Sequence, residues 1–78
     1  MDEKVEVRLP DLGEVEEVIV TNWLKQEGDT VAAGEDLLEV ETEKTTFVVE
    51  APKDGRIARI LKKEGEKAKR DELLAEIE

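Results

Sequence analysis

Seventy-eight residues are enough for one small hydrophobic core and not for two. Twelve Lys and Arg stand against 22 Asp and Glu, a formal charge of -10 with 3% aromatic content; that excludes nucleic acid as a partner, because phosphates need cations and bases need stacking platforms. Cys and His are both absent and no apolar run exceeds three residues, so disulfides, thiolate and imidazole metal sites, the commonest general base and a membrane span are all excluded.

In chain order, Val5, Val7 and Leu9 alternate with polar residues and predict a first strand, ended by the turn signal Leu12-Gly13. Val18 and Val20 predict a second strand, closed at Glu27-Gly28-Asp29. Thr30 and Val31 follow, then the turn Ala33-Gly34-Glu35, then Leu38 and Val40 with the same period of two. Residues 42–51 read as a hairpin, Leu37 to Glu41 leading in, Thr45 to Glu50 leading out, and Glu43-Lys44 at its tip. No Asn-Gly or Gly pair stands there, so turn propensity alone does not account for the tip. Pro52-Lys53-Asp54-Gly55, Ile57 and Glu64-Gly65-Glu66 continue the pattern to a closing strand, Leu73 to Ile77. Gly13, Gly28, Gly34, Gly55 and Gly65 are expected to be turn residues that need permissive φ. The fold class is all-β, a sandwich or barrel.

Lys62 to Leu74 has helical composition, but an internal repeat argues for strand. Shifted by 37 positions, Trp23–Glu41 overlies Ile60–Glu78 with eight identities in nineteen. Two copies do not make a solenoid. They predict a sandwich in which each half forms one small sheet and the two apolar faces close about a pseudo-two-fold axis. Residues 42–51 join the copies and match nothing in the other half, which marks them for function.

Read singly, Lys44 is one of eight lysines and a solvated turn residue. Trp23 belongs to the core, because Ile60 occupies the matching place in the repeat. Glu14, Glu16 and Glu17 read as a solvated acidic face rather than an ion site, since no calcium-loop spacing is present. Lys62, Lys63, Lys67, Lys69 and Arg70 form the one basic stretch, read as surface charge mixing, with partner docking as the alternative.

Four strings taken in register change the weight on Lys44. LPDLGE (9–14), WLKQEGDTV (23–31), AGEDLLEVETEKT (33–45) and APKDGRIARI (51–60) together resemble the lipoyl domain of the acyltransferase component of 2-oxo acid dehydrogenase complexes. The family's usual centre is Asp-Lys-Ala; Glu43-Lys44-Thr45 keeps the acid and adds bulk behind the lysine. The resemblance implies one lipoyl domain over residues 1–78, folded as a barrel-sandwich hybrid of two four-stranded sheets. It implies lipoate attached covalently to Lys44, no catalytic residue and no metal. The implied function is that of a swinging-arm carrier within a dihydrolipoamide acyltransferase. A thiamin-dependent 2-oxo acid decarboxylase reductively acylates the arm, the acyltransferase core passes the acyl group to coenzyme A, and dihydrolipoamide dehydrogenase reoxidises the dithiol. A lipoate ligase or lipoyl transferase installs the group. The loop from Gly13 to Val18 is implied to help the decarboxylase recognise its carrier. The expected setting is the bacterial or archaeal cytoplasm or the mitochondrial matrix, with the domain a monomer that binds neither nucleic acid nor membrane. Two alternatives stand beside it. A biotin carrier domain shares the fold but flanks its lysine with Met, and the only Met here is Met1; an unmodified interaction module of the same shape would leave the lysine incidental.

Overall fold

The computed structural model of the chain describes residues 4–10, 12–13 and 15–78; the expectations placed on Glu14 lie outside the described residues. Among the described residues eight strands follow one another: β1 (Val5–Arg8), β2 (Glu17–Trp23), β3 (Thr30–Val31), β4 (Asp36–Glu41), β5 (Thr46–Glu50), β6 (Gly55–Ile60), β7 (Lys67–Lys69) and β8 (Leu73–Ile77). The basic segment is strand and turn, as the repeat predicts. All strand pairs are antiparallel, in two four-stranded sheets ordered β1-β8-β6-β3 and β5-β4-β2-β7.

The pairing corrects one expectation. Each half does not form its own sheet: β1 and β3 join β6 and β8, while β2 and β4 join β5 and β7. Reversal within a sheet takes a tight loop between neighbouring strands. Here the Gly-bearing connections carry the chain across to the other layer, and among the described residues only β4 and β5 are both consecutive and paired. The pseudo-two-fold survives this interleaving. Exchanging β1 with β5, β2 with β6, β3 with β7 and β4 with β8 converts one sheet order into the other.

Hydrogen bonds repeat the symmetry atom for atom. Gly28 N–H donates to Ile57 O at 2.8 Å, and its equivalent Gly65 N–H donates to Val20 O at 2.7 Å. Both glycines have positive φ, 93° and 90°, which other residues adopt only at a cost. Lys25 pairs with Glu35 at 2.8 Å, and Lys62 with Glu72 at 2.9 Å.

The buried faces supply one core, in which Val20, Val31, Leu37, Leu38 and Val40 match Ile57, Ala68, Leu74, Ala75 and Ile77 across the repeat. Strict alternation fails twice, at Leu37-Leu38 and Leu74-Ala75, where both neighbours are buried. Pairing skips Leu37 between Asp36 and Leu38, and skips Leu74 between Leu73 and Ala75. Such bulges turn two consecutive side chains inward. Trp23 packs partly buried against the core and donates its indole N–H to Lys62 O at 2.7 Å, so its place is structural, as expected.

Gly55 departs from the expected reason for a glycine. It opens a strand and is absent from the positive-φ positions. A Cβ there would stand 2.5 Å from Glu78 O and 2.7 Å from an Ile77 methyl, so the requirement is space between β6 and the end of β8.

Candidate functional site

The β4–β5 hairpin is built outward from Val40↔Phe47 and Glu41↔Thr46, leaving residues 42–45 as its loop. Among the described residues Asp71 is the one non-glycine with positive φ, so this loop closes in ordinary backbone conformations and needs no Asn-Gly. Thr42 closes it instead. Its N–H and hydroxyl both donate to Thr45 O, at 2.8 and 3.1 Å, and its hydroxyl oxygen accepts from the N–H groups of Lys44 and Thr45, at 3.2 and 3.1 Å. A threonine hydroxyl at the head of a turn is a recognised local clamp, and that signal was present in the sequence, at the residue two before the lysine.

Lys44 sits at the apex of this clamped loop with its side chain exposed. Among the described residues its ammonium takes part in none of the ion pairs, which join Arg8–Glu6, Lys25–Glu35, Arg56–Glu78, Lys62–Glu72 and Lys67–Glu17. The apex lies at the far end of β5 from the base of the hairpin. The base of the hairpin, Asp36↔Glu50, is tied to Ala51 through Glu35 O, and Gly55 and Arg56 then meet Glu78. The tip stands the length of β5 away, about 3.3 Å for each residue.

A shallow groove runs from Lys44 across β2, lined among others by Val15, Glu17, Ile19, Thr42 and Lys67. On the outer face of this sheet the cross-strand row reads Thr46, Glu41, Ile19, Lys67. Ile19, 44% exposed, is an apolar floor between an acid and a base. The rim is acidic at Glu16, Glu41 and Glu43, all exposed. Glu16 and Glu17 lie in this rim, and among the described residues no group of three or more carboxylates is placed to hold a metal ion. The basic stretch is dispersed: Lys62 faces Glu72, Lys67 faces Glu17 at 4.0 Å, and Arg70 turns to backbone carbonyls at Gly13 and Val15.

The site is thus an exposed primary amine on a hydrogen-bonded hairpin loop, with the carboxylates of Glu41 and Glu43 nearby and, among the described residues, no metal-ligand cluster. It can accept an acyl group as an amide and carry it. The immediate neighbours of the lysine are Glu43 and Thr45, and no Met flanks it.

Comparison with known proteins fits this geometry. A family model described as "Biotin-requiring enzyme", the biotin–lipoyl family, matches residues 5–77. The chain is similar to the dihydrolipoyllysine-residue succinyltransferase component of the 2-oxoglutarate dehydrogenase complex of Rickettsia felis, 46% identical over 94% of this chain and 18% of that protein. It is also similar to acetyltransferase component 3 of the mitochondrial pyruvate dehydrogenase complex of Arabidopsis thaliana, 46% identical over 80% of this chain and 12% of that one. The chain therefore spans less than a fifth of the length of these relatives. Among solved structures, the lipoyl domain of the 2-oxoglutarate dehydrogenase complex from Azotobacter vinelandii superposes with a TM-score of 0.77, 32% identity and 95% coverage of both chains. Urea carboxylase of Kluyveromyces lactis superposes with a TM-score of 0.84 and 27% identity, over 100% of this chain and 6% of that one.

Proposed function

This chain belongs to the biotin–lipoyl attachment family as a lipoyl-type carrier domain, and from that premise we propose that Lys44 bears an amide-linked lipoyl group and serves a 2-oxo acid dehydrogenase complex. The observation that carries the reading is the position of Lys44 at the apex of what is, among the described residues, the one hairpin joining consecutive paired strands, locked by Thr42. When attached, lipoate supplies a disulfide that accepts an acyl group together with two electrons and later gives them up.

The chain's own residues do the rest. Thr42 fixes the backbone from which the arm extends, so the arm moves while its root does not. Amide formation removes the lysine charge, so the tip that also carries Glu41 and Glu43 is more negative when loaded than when unloaded. The protein contributes tethering, which replaces free diffusion of the cofactor with a high local concentration at each partner.

The partners of this reading are a thiamin-dependent decarboxylase, the acyltransferase core, dihydrolipoamide dehydrogenase and a lipoate ligase or lipoyl transferase, in a bacterial cytoplasm or mitochondrial matrix. The succinyltransferase relatives and the Azotobacter domain favour 2-oxoglutarate as the acyl source over pyruvate. The test is intact-mass analysis of the chain incubated with lipoate ligase, ATP and lipoate, followed by peptide mapping. One lipoyl group on Lys44, and none on Lys44→Arg with an unchanged melting temperature, is the expected result. Loading by biotin ligase instead moves the assignment to the biotin branch; modification at another lysine overturns it.

A further inference from the structure

The two sheets end side by side at β1 and β5, each of which has a strand neighbour on one side only among the described residues. A slot runs between these edges, with Val7 and Val49 buried in it and Pro10 and Pro52 among its walls. A free edge offers its N–H and C=O groups to any strand that fits. Which groups β1 offers follows from Leu9. Its N–H donates to Glu72 O at 3.0 Å and its carbonyl accepts from Asp71 N–H at 3.1 Å, so its backbone faces the β8 side. The bulge at Leu74 lies in β8, so β1 keeps its alternation. Val5 and Val7 therefore face β8 as Leu9 does, and the N–H and C=O groups of Glu6 and Arg8 point out of the sheet edge. Pro10 ends the row of donors.

The side chains of the same two residues are exposed on the outer face, with the Arg8 guanidinium 2.9 Å from the Glu6 carboxylate. An acid and a base on either side of Val7 make the row self-complementary. Set antiparallel against a copy of itself with Val7 opposite Val7, the strand places Glu6 of each copy opposite Arg8 of the other. In that register Glu6 and Arg8 also exchange both backbone hydrogen bonds across the pair, because theirs are the groups that point outward. Centring the pair one residue earlier or later sets Glu6 against Glu6 or Arg8 against Arg8, which repels. Hydrogen-bond phase and charge thus select one alignment. The edge related to β1 by the pseudo-two-fold lacks this property: the outer row of β5 is Thr46, Val48 and Glu50, without a cation.

We propose that β1 is a self-recognition edge, along which two copies of this chain pair antiparallel about Val7 and join their β1-β8-β6-β3 sheets into one continuous sheet. The proposal goes beyond the carrier reading and does not depend on it. β1 starts beside Ile77, at the end of the molecule where Glu78 meets Gly55 and Arg56. An antiparallel pair therefore sends its two β4–β5 tips to opposite ends and leaves both Lys44 amines open. Each copy contributes one short strand and carries a net charge of -10, so the contact is weak and transient. A dilute chain is the monomer that the sequence leads one to expect. Pairing appears where copies are held close, because tethering raises their effective concentration into the millimolar range.

The test is sedimentation equilibrium of the chain up to millimolar concentration at about 0.15 M salt, with amide spectra followed over the same range. The parent is expected to dimerise reversibly, with concentration-dependent shifts at Glu6, Val7 and Arg8 and none at the β4–β5 tip. Glu6→Arg and Arg8→Glu each set like charges opposite one another and are expected to weaken association about tenfold or more. Mixing these two variants restores both opposite-charge pairs and is expected to return association to near the parent's strength, as is the chain that carries both substitutions. That recovery separates pairing from any loss of folding, which melting temperatures of each variant monitor. Val48→Lys, on the other edge, is expected to leave association unchanged. A parent that stays monomeric at millimolar concentration overturns the proposal, and so does association undiminished in both single variants. A mixture and a doubly substituted chain that both fail to associate while melting as the parent does overturn the register. Association lost in Val48→Lys alone overturns the proposal by moving the contact to β5.

Discussion

Glu27 and Glu64, 37 residues apart, each reach across to the opposite half: the Glu27 carboxylate accepts the Ile60 N–H at 2.8 Å, and the Glu64 carboxylate accepts the Trp23 N–H at 2.9 Å. Ile60 and Trp23 are themselves equivalent positions, so each half caps the strand end of the other. Both carboxylates are exposed, which keeps each bond modest. Glu27→Ala and Glu64→Ala are expected to lower stability by similar amounts, about 0.5–1 kcal/mol each. Urea denaturation of the two variants checks this, and a loss confined to one of them contradicts the symmetry.

Thr42 has the larger local burden. Its hydroxyl engages three backbone groups of the tip, and a valine of the same shape supplies none of them. Thr42→Val is expected to cost about 1–2 kcal/mol and to slow loading by the ligase, whereas Thr42→Ser keeps the hydroxyl and most of both. Equal ligase rates for valine and threonine would show that the backbone of the tip is ordered without the hydroxyl.

At Gly55 the constraint is volume. Gly55→Ala forces the β6 start away from Glu78 O and the Ile77 methyl, an overpacking cost of about 1–3 kcal/mol. Alanine at Gly28, where a Cβ meets nothing within 4 Å but φ is 93°, strains the backbone alone. Circular dichroism melts of the two variants, with amide shifts at Ile77 and Glu78 moving only for Gly55→Ala, distinguish the two causes.

Acid stability follows from three carboxylates. The Lys25 ammonium beside Glu35, with help from the Ala32 N–H, holds that carboxyl below its ordinary value of 4.5; Lys62 and the Lys69 N–H do the same to Glu72, and Arg56 to Glu78. Each folded-state pKa is lowered, so the stabilisation is complete above the unfolded value and is lost as pH falls through the folded one. Lys25 and Lys62 are shifted upward in turn by Glu35 and Glu72; their contribution is complete below about 10.5 and is lost on further alkalisation. The melting temperature should be flat between these limits and fall below pH about 4.5. Glu35→Gln with Glu72→Gln should flatten the acid limb, and an acid limb of undiminished slope would assign the loss to other groups.

How far the sequence carried this structure depends on the range of the contact. Alternation around Val18-Val20 and Leu38-Val40 is a one-strand property and was legible, as was the duplication, because Leu24-Lys25 and Leu61-Lys62 repeat it in plain letters. Lys44 stood out by resemblance and by its place between the copies. The interleaving of the halves was not legible, since alternation tells which face a residue takes and not which strand lies beside it. The bulges at Leu37 and Leu74 hid for the same reason. The grip of Arg70 on Gly13 and Val15 spans more than fifty residues, and nothing in the spelling of the basic stretch sets that arginine apart from its lysine neighbours.

The exchange of strands between layers also governs how the molecule comes apart. Each sheet draws two strands from each half, so neither half retains a finished layer when the other is withdrawn, and cleavage at the loop between the copies would yield two fragments that are each half of both sheets. Such fragments are expected to find one another or stay unfolded, which makes the duplicated chain a single cooperative unit despite its two-part ancestry.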